Sequence, residues 1–269
     1  MTFRELCDLL ELPQEVILRL ITCAQPDLDW LTEDLRAKYF TRATSGEGLE
    51  VIRARLGDDP DGFRMLWVML QLACEAWDGY ALRGISREIF TETMKFITRF
   101  LRTGKEQTGS YTFTWGWWFW RQLSLVEFRI GCLEYELVEN ADGTREISLH
   151  IPSDADLRPA SVDDSFAAFR TFLAGYFPDW QDAPWICDSW MMSPALENLL
   201  GEGSNILAFQ RRFDRIFTNE GYEGALDWVF PTYHEVSEAL PEKTSLQRKM
   251  KAWLLAGNKV GWTKAVLRQ

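Results

Sequence analysis

Through the first hundred residues apolar side chains recur every three or four positions, the spacing that gathers them on one side of a helix. Thr2 and Glu5 in "TFRE" fit a capping box, and Leu6, Leu9 and Leu10 follow on one face. Pro13 suits the first turn of a second helix, striped by Val16, Ile17, Leu20 and Ile21. "DLDWLTEDLRAKYF" repeats the rhythm with Leu28, Leu31, Leu35 and Tyr39. After the breaker "GDDPDG", the segment from Phe63 to about Leu82 is apolar on most sides around Leu66, Met69, Leu70 and Ala73, which predicts a buried central helix. "SREIFTETMKFITRFLR" turns Ile89, Met94, Ile97 and Phe100 inward and ends near Gly104, and the polar "TGKEQTGS" reads as a linker.

The rhythm then changes. "WGWWFW" opens a short helix running to about Leu125, after which apolar and polar residues alternate through Phe128, Ile130, Cys132 or Leu133, Tyr135 and Leu137. Two strands, "FRIGCLEYELVE" and "TREISLHIP", flank "NADG", where Asp142-Gly143 signals a hairpin, and Pro152 stops the second. "SVDDSFAAFRTFLAGYF" predicts a helix with Ser161 and Asp164 in capping-box positions and Phe166, Phe169 and Leu173 on one face. "PWICDSWMM" predicts a buried strand, "SPALENLL" a helical turn or two, "SNILAFQRRFDRIF" a helix, "ALDWVF" a strand, and "SLQRKMKAWLLAG" a helix or long arm. The fold class is α+β or α/β: an all-helical N-terminal domain over residues 1–110, then a mixed-sheet domain over 111–269.

Composition narrows the function. With a formal net charge of −11 and no long basic run, no nucleic-acid partner is expected. No apolar run approaches the roughly 20 residues of a membrane span, so no membrane partner is expected either. The acid-rich start lacks a signal-peptide pattern. Five scattered cysteines (7, 23, 74, 132 and 187) without a CxxC, beside only two histidines, argue against a metal site and a disulfide framework. They suit a reducing compartment, by default the cytoplasm.

The order hairpin, helix, strand, helix, strand, with "FRIGCLEYEL", "LHIPSDADL", "ICDSWMMSPALENLL", "SNILAFQRRF" and "TSLQRKMKAWLLAG", resembles the C-terminal half of GNAT-type acyltransferases. It is similar to a bacterial family of acyltransferase-domain proteins that join a helical N-terminal domain to a GNAT-like C-terminal domain. The resemblance implies transfer of an acyl group from acetyl-CoA or another acyl-CoA to a small amine, with no metal. It implies a cofactor wedge between two splayed parallel strands, here "ISLHIP" and "WICDSW", and a pyrophosphate at the start of the helix between them. Ser153, Arg158 and Ser161 would meet that phosphate, although the loop "SDADLRPAS" lacks the glycines usual there and carries Asp154 and Asp156. Asn205 of "SNILAF" would reach the pantetheine arm, or Ser204-Asn205 simply caps a helix. The tyrosine that often follows as general acid is absent, and Arg211, Arg212 and Phe213 stand around that position. "RKMK" would attract the 3′-phosphate, or is a solvated helix face.

Alternation along "EISLHIP" puts Ile147, Leu149 and Ile151 on one face and Ser148 and His150 on the other. His150 is the candidate general base, because imidazole titrates near the pH at which an amine must be deprotonated; the bland reading is a hydrogen-bonded histidine at a strand end. Asp188 in "CDSW" is a second candidate, as amine anchor or base, against a structural carboxylate; Cys187 beside it reads as packing. Trp115, Trp118 and Phe119 share a helical face while Trp117 and Trp120 point elsewhere, so the aromatic stretch welds two halves or lines a substrate mouth with Trp118, Arg121, Arg129 and Trp190. Arg121 and Arg129 would anchor a carboxylate there, or pair with Glu127 and Glu134. A catalytically silent GNAT-like module binding a small ligand or a protein is the alternative function, and a homodimer is compatible with either.

Overall fold

The structure, a computed structural model, describes residues 1–22, 26–221 and 224–268; Cys23 lies outside them. The chain divides into two compact units, Met1–Arg129 and Ile130–Gln269.

The first unit holds eight helices among its described residues: α1 (Phe3–Leu9), α2 (Gln14–Thr22), α3 (Glu33–Tyr39), α4 (Ser45–Leu56), α5 (Phe63–Leu82), α6 (Arg87–Met94), α7 (Phe96–Thr108) and α8 (Gly116–Leu123). The capping box at Thr2 and Glu5 forms as the sequence predicts, closing in both directions. Helix α5 is the central one, with Leu66, Met69, Leu70 and Ala73 wholly buried. Three expectations fail here. The predicted helix over "SREIFTETMKFITRFLR" is two, broken at Lys95. The predicted linker is largely helical, since α7 runs on to Thr108 and stops at left-handed Gly109. Gly104 lies inside that helix because Thr112 packs where a Cβ would stand, 2.6 Å from its hydroxyl. Helix α4 escapes a periodicity reading because two glycines open it; Gly48 is needed there, its missing Cβ leaving room for the Tyr39 backbone 2.8 Å away.

Helix α8 carries the tryptophan-rich stretch and is packed into the first unit. Phe119 stacks on Phe96, Trp115 lies 3.9 Å from Phe100 between ring centres, and the Tyr39 hydroxyl donates to the Gly116 carbonyl. Tyr80 likewise donates to the Gln122 carbonyl at 2.9 Å. Phe119 and Trp120 are buried, whereas Trp117 is exposed.

Strand β1 (Glu127–Ile130) runs across the division of the units. In the second unit the strands are β2 (Leu133–Glu139), β3 (Arg145–His150), β4 (Trp185–Ser189), β5 (Phe213–Asn219) and β6 (Trp262–Leu267), in the spatial order β2-β3-β4-β6-β5. The β2–β3 pair is the predicted hairpin, turned at Asp142-Gly143 with Gly143 in the left-handed region. Strands β3 and β4 are parallel and joined by helix α9 (Pro159–Tyr176), a βαβ unit. Every second residue of the sheet faces α9: Tyr135, Leu149, Cys187 and Ala265 align across four strands. Phe169 stacks on Tyr135 at 3.8 Å and meets Trp185 edge-on at 5.3 Å.

Three predicted elements differ, and one strand goes unpredicted. Helix α9 begins at Pro159, not at Ser161, and Arg158 stands at its cap without a side-chain cap bond, so the expected Ser161–Asp164 box is not formed. "SNILAFQRRFDRIF" is a short helix, α11 (Asn205–Gln210), followed by strand β5, because Phe213 turns into the sheet. "ALDWVF" is helix α12 (Ala225–Val229), with Ala225 and Leu226 buried in a small apolar cluster beneath α10 (Leu196–Leu199) and α13 (Ser245–Leu255). Strand β6 was not anticipated at all; its inward residues are the small Thr263 and Ala265.

Candidate active site

The sheet face opposite α9 carries charge where the other carries aromatics. On β2 it presents Glu134 and Glu136, on β3 Glu146, Ser148 and His150, on β4 Asp188 and on β6 Lys264. The parallel ladder pairs Ile147 with Trp185, Ser148 with Ile186 and Leu149 with Cys187, and ends there. His150 and Asp188 therefore stand side by side one residue beyond the last rung, where the two strands are free to part. This is the place where the resemblance to GNAT-type acyltransferases implies a cofactor wedge.

His150 Nε2 lies 2.9 Å from Glu136 Oε2, with the histidine side chain 22% exposed and the glutamate only 3%. Asp188 faces Lys264 directly across the β4–β6 ladder, and Lys264 Nζ lies 3.4 Å from Glu146. Although Asp188 is an exposed residue, partial desolvation by the sheet surface pushes its carboxyl above the ordinary aspartate range. Lys264 opposes that shift, Glu146 adds to it and His150 lowers it. Cys187, on the other face, is fully buried, and desolvation drives its thiol far above the range in which a thiolate forms. It is packing, as its alternation predicts.

Among the cofactor candidates, Ser153 is exposed in the turn after Pro152. Arg158 and Ser161 are both engaged by Asp156. That carboxylate accepts from the Arg158 backbone N–H at 3.1 Å, from Arg158 Nε at 2.9 Å and from the Ser161 hydroxyl at 2.6 Å. An internal anion thus engages Arg158 and the Ser161 hydroxyl at the start of α9, and those bonds, Arg158 first, hold the Asp156 carboxyl far below its usual range. A group depressed in the folded state stabilises it above the unfolded aspartate value, near 3.9, and loses that contribution as pH falls through the folded value. Asp156→Asn is accordingly expected to lower Tm slightly at pH 7, and thermal melts of the two proteins should draw closer as the pH is taken from 4 down to 2.

Asn205 is the exposed first residue of α11, and Ser204 sits at its cap without a side-chain cap bond. Trp190 is half-buried and packs against the apolar cluster under α10 and α13. In "RKMK", Lys251 bonds the Glu238 carbonyl at 2.7 Å and Glu242 at 2.8 Å, and Arg248 bonds the Glu242 carbonyl. Lys249 instead lines a cavity of about 330 Å³ with Gly201, Gly203, Ser204 and Ser245.

The other three pocket candidates belong to the first unit. Trp118 Nε1 donates to both oxygens of buried Glu127 at 3.1 Å, and the Arg121 guanidinium lies over the Trp118 ring at 4.0 Å with Nε 4.0 Å from Glu127. Gln122 also donates to Glu127, at 2.5 Å. Arg121 therefore takes up the pairing with Glu127 that its position suggests, while the Arg129 backbone N–H donates to the Thr93 hydroxyl at 3.0 Å. Glu136 and Glu127, the buried carboxylates bonded to His150 and Trp118, were not singled out as site residues by sequence reasoning. Counting back from the Asp142-Gly143 turn would have set Glu134 opposite His150 and Glu136 diagonal to it; no comparable local signal marks Glu127.

A mixed sheet with a βαβ unit whose parallel ladder stops short of the strand ends defines the class as GNAT-like. Residues 127–267 match the GNAT-like C-terminal domain and residues 1–125 the N-acyltransferase N-terminal domain. The chain belongs to this family of two-domain, GNAT-like N-acyltransferase proteins. It is similar to the crystal structure of an acyltransferase in complex with decanoyl-CoA and teicoplanin, at 26% identity and TM-score 0.82, covering 98% of this chain and 86% of that one. An acyltransferase in complex with CoA and 10C-teicoplanin is 25% identical with TM-score 0.78, over 98% and 87% of the two chains. An acyltransferase mutant with octanoyl-CoA shares the fold, at 24% identity and TM-score 0.79 over 98% and 87%. A comparison with curated proteins finds no match. Among the described residues no helix is long and apolar enough to cross a membrane.

Proposed function

We propose that the protein transfers an acyl group from acyl-CoA to an amine. The observation that carries this reading is His150, standing beside Asp188 where the β3–β4 ladder ends. The acyl-CoA would lie between the parting strands, its pyrophosphate at the start of α9 near Ser153, Arg158 and Ser161, and its pantetheine arm toward Asn205. His150 takes the amine proton as nitrogen attacks the thioester carbonyl, and a backbone N–H of β4 polarises that carbonyl. Asp188 anchors the incoming ammonium before it is deprotonated. Within the second unit, Trp190 is the proposed substrate-contacting side chain. No metal is required by this chemistry.

Acyl length is the open variable of the donor. The similar structures hold decanoyl-CoA and octanoyl-CoA, which favours a donor longer than acetyl-CoA. Calorimetric titration with free CoA, acetyl-CoA and decanoyl-CoA tests the reading, with teicoplanin among the amines offered afterwards. Micromolar binding that tightens with chain length supports it; no binding up to millimolar CoA overturns it.

Asp156 favours a second reading, a silent GNAT-like module, because it already holds the Arg158 and Ser161 side chains proposed for the pyrophosphate. Asp156→Asn separates the two. If CoA competes with Asp156 for Arg158 and Ser161, the variant binds CoA more tightly than the parent; a module that never takes CoA gains nothing.

A further inference from the structure

We propose that Glu136 is a positioning residue for His150, holding its Nε2–H and leaving Nδ1 as the nitrogen that receives the acceptor's proton. This rests on the acyl-transfer reading above.

Glu136 lies in the middle of β2 between Tyr135 and Leu137, both turned toward α9, and is 2% exposed. A carboxylate withdrawn from water inside a strand is costly unless bonded, and the register offers it the imidazole of His150 diagonally across the hairpin. Their contact is 2.9 Å, from Nε2 to Oε2. An ionised carboxylate only accepts, so the nitrogen facing it carries the hydrogen; in a neutral imidazole the other nitrogen then holds the lone pair. A carboxylate fixing the tautomer and orientation of a working imidazole is a recurring arrangement in catalysis. Glu134, directly opposite His150, and Glu146, Asp188 and Lys264 share the same sheet face.

The acceptor nitrogen forms a bond to the thioester carbon, its proton passes to His150 Nδ1, the carbon–sulfur bond breaks, and CoA leaves as thiolate. The imidazolium returns that proton to sulfur or to solvent.

The chain has two histidines, and His234 is exposed, so selective nitrogen-15 labelling of histidine reads the site without crowding; a His234→Gln sample assigns the signals. In the full-length wild type, His150 is expected as the Nε2–H tautomer, with no hydrogen on Nδ1. Glu136→Leu should lose that preference and reduce kcat about ten- to a hundredfold, the range seen when partners orienting a functional imidazole are removed, with KM for acyl-CoA nearly unchanged. Glu136→Gln, close in shape, guards against a folding defect and should lie between. An Nδ1–H tautomer in the wild type, or an unchanged tautomer and kcat in a folded Glu136→Leu protein, overturns the proposal. A wild type without turnover overturns the acyl-transfer reading instead, and the tautomer still decides whether Glu136 orders the ring.

Discussion

His150→Ala is expected to reduce acyl transfer by roughly 10²- to 10⁴-fold, the usual contribution of a positioned general base, while leaving acyl-CoA affinity nearly unchanged. In the proposed reaction an amine that arrives as ammonium loses one proton before attack, and the attacking nitrogen must shed a second as the carbon–nitrogen bond forms. Without an adjacent base, that proton must pass unaided to water. His150 is 22% exposed in its side chain, open enough to meet a substrate and enclosed enough to be oriented. Steady-state kinetics and a binding titration on the same preparation separate the possible roles. Lost turnover with retained binding supports the base; lost binding makes His150 part of the cofactor wall; unchanged turnover removes it from the mechanism and shifts attention to Asp188, whose carboxyl is already raised.

The largest stability effect is expected at Phe169. This residue is wholly buried on α9, stacks face to face on Tyr135 with planes 9° apart, and touches Trp185 and Phe172. Phe169→Ala removes the ring that joins β2 to β4 beneath the site and should cost about 3–5 kcal/mol. For a unit of this size that lowers Tm by roughly ten degrees or more, readable by circular dichroism in a thermal or urea melt. Phe169→Leu should lose much less, because most of the volume is restored. A loss below about 1 kcal/mol for the alanine variant would mean that the aromatic stack is not the tie between helix and sheet.

What could be read beforehand follows from how local each signal is. The α1 capping box, the Asp142-Gly143 hairpin and the buried face of α5 each depend on residues close in sequence, and all three form. The alternation around His150 was legible because Ile147 and Leu149 mark the buried face unambiguously. Signals that depend on distant partners were lost. Phe213 reads as the end of a helix until β6 is there to pair with it. "WTKAVL" has too little apolar bulk to announce a central strand, although Ala265 and Thr263 are wholly buried. Glu136 looks like the outward position of an alternating strand, and nothing nearby in sequence says that its carboxylate is enclosed. The start of α9 moved for a related reason: Ser161, expected as a cap, gives its hydroxyl to Asp156, while Pro159 begins the helix.

The position of β6 also sets an order of events during synthesis. It lies between β4 and β5, pairing Asp188 with Lys264 and Asp214 with Val266. As the polypeptide leaves the ribosome, helices α1 to α8 of the first unit emerge early, and that unit can begin to fold while translation continues. The second cannot. Until Trp262–Leu267 has emerged, β4 is a bare edge and β5 has no neighbour, so the strand that carries Asp188 stays open to mispairing. Slowing translation late in the message would therefore prolong exposure of that edge, and a nascent chain stalled before Trp262 should be cut by protease in its second half while its first half resists.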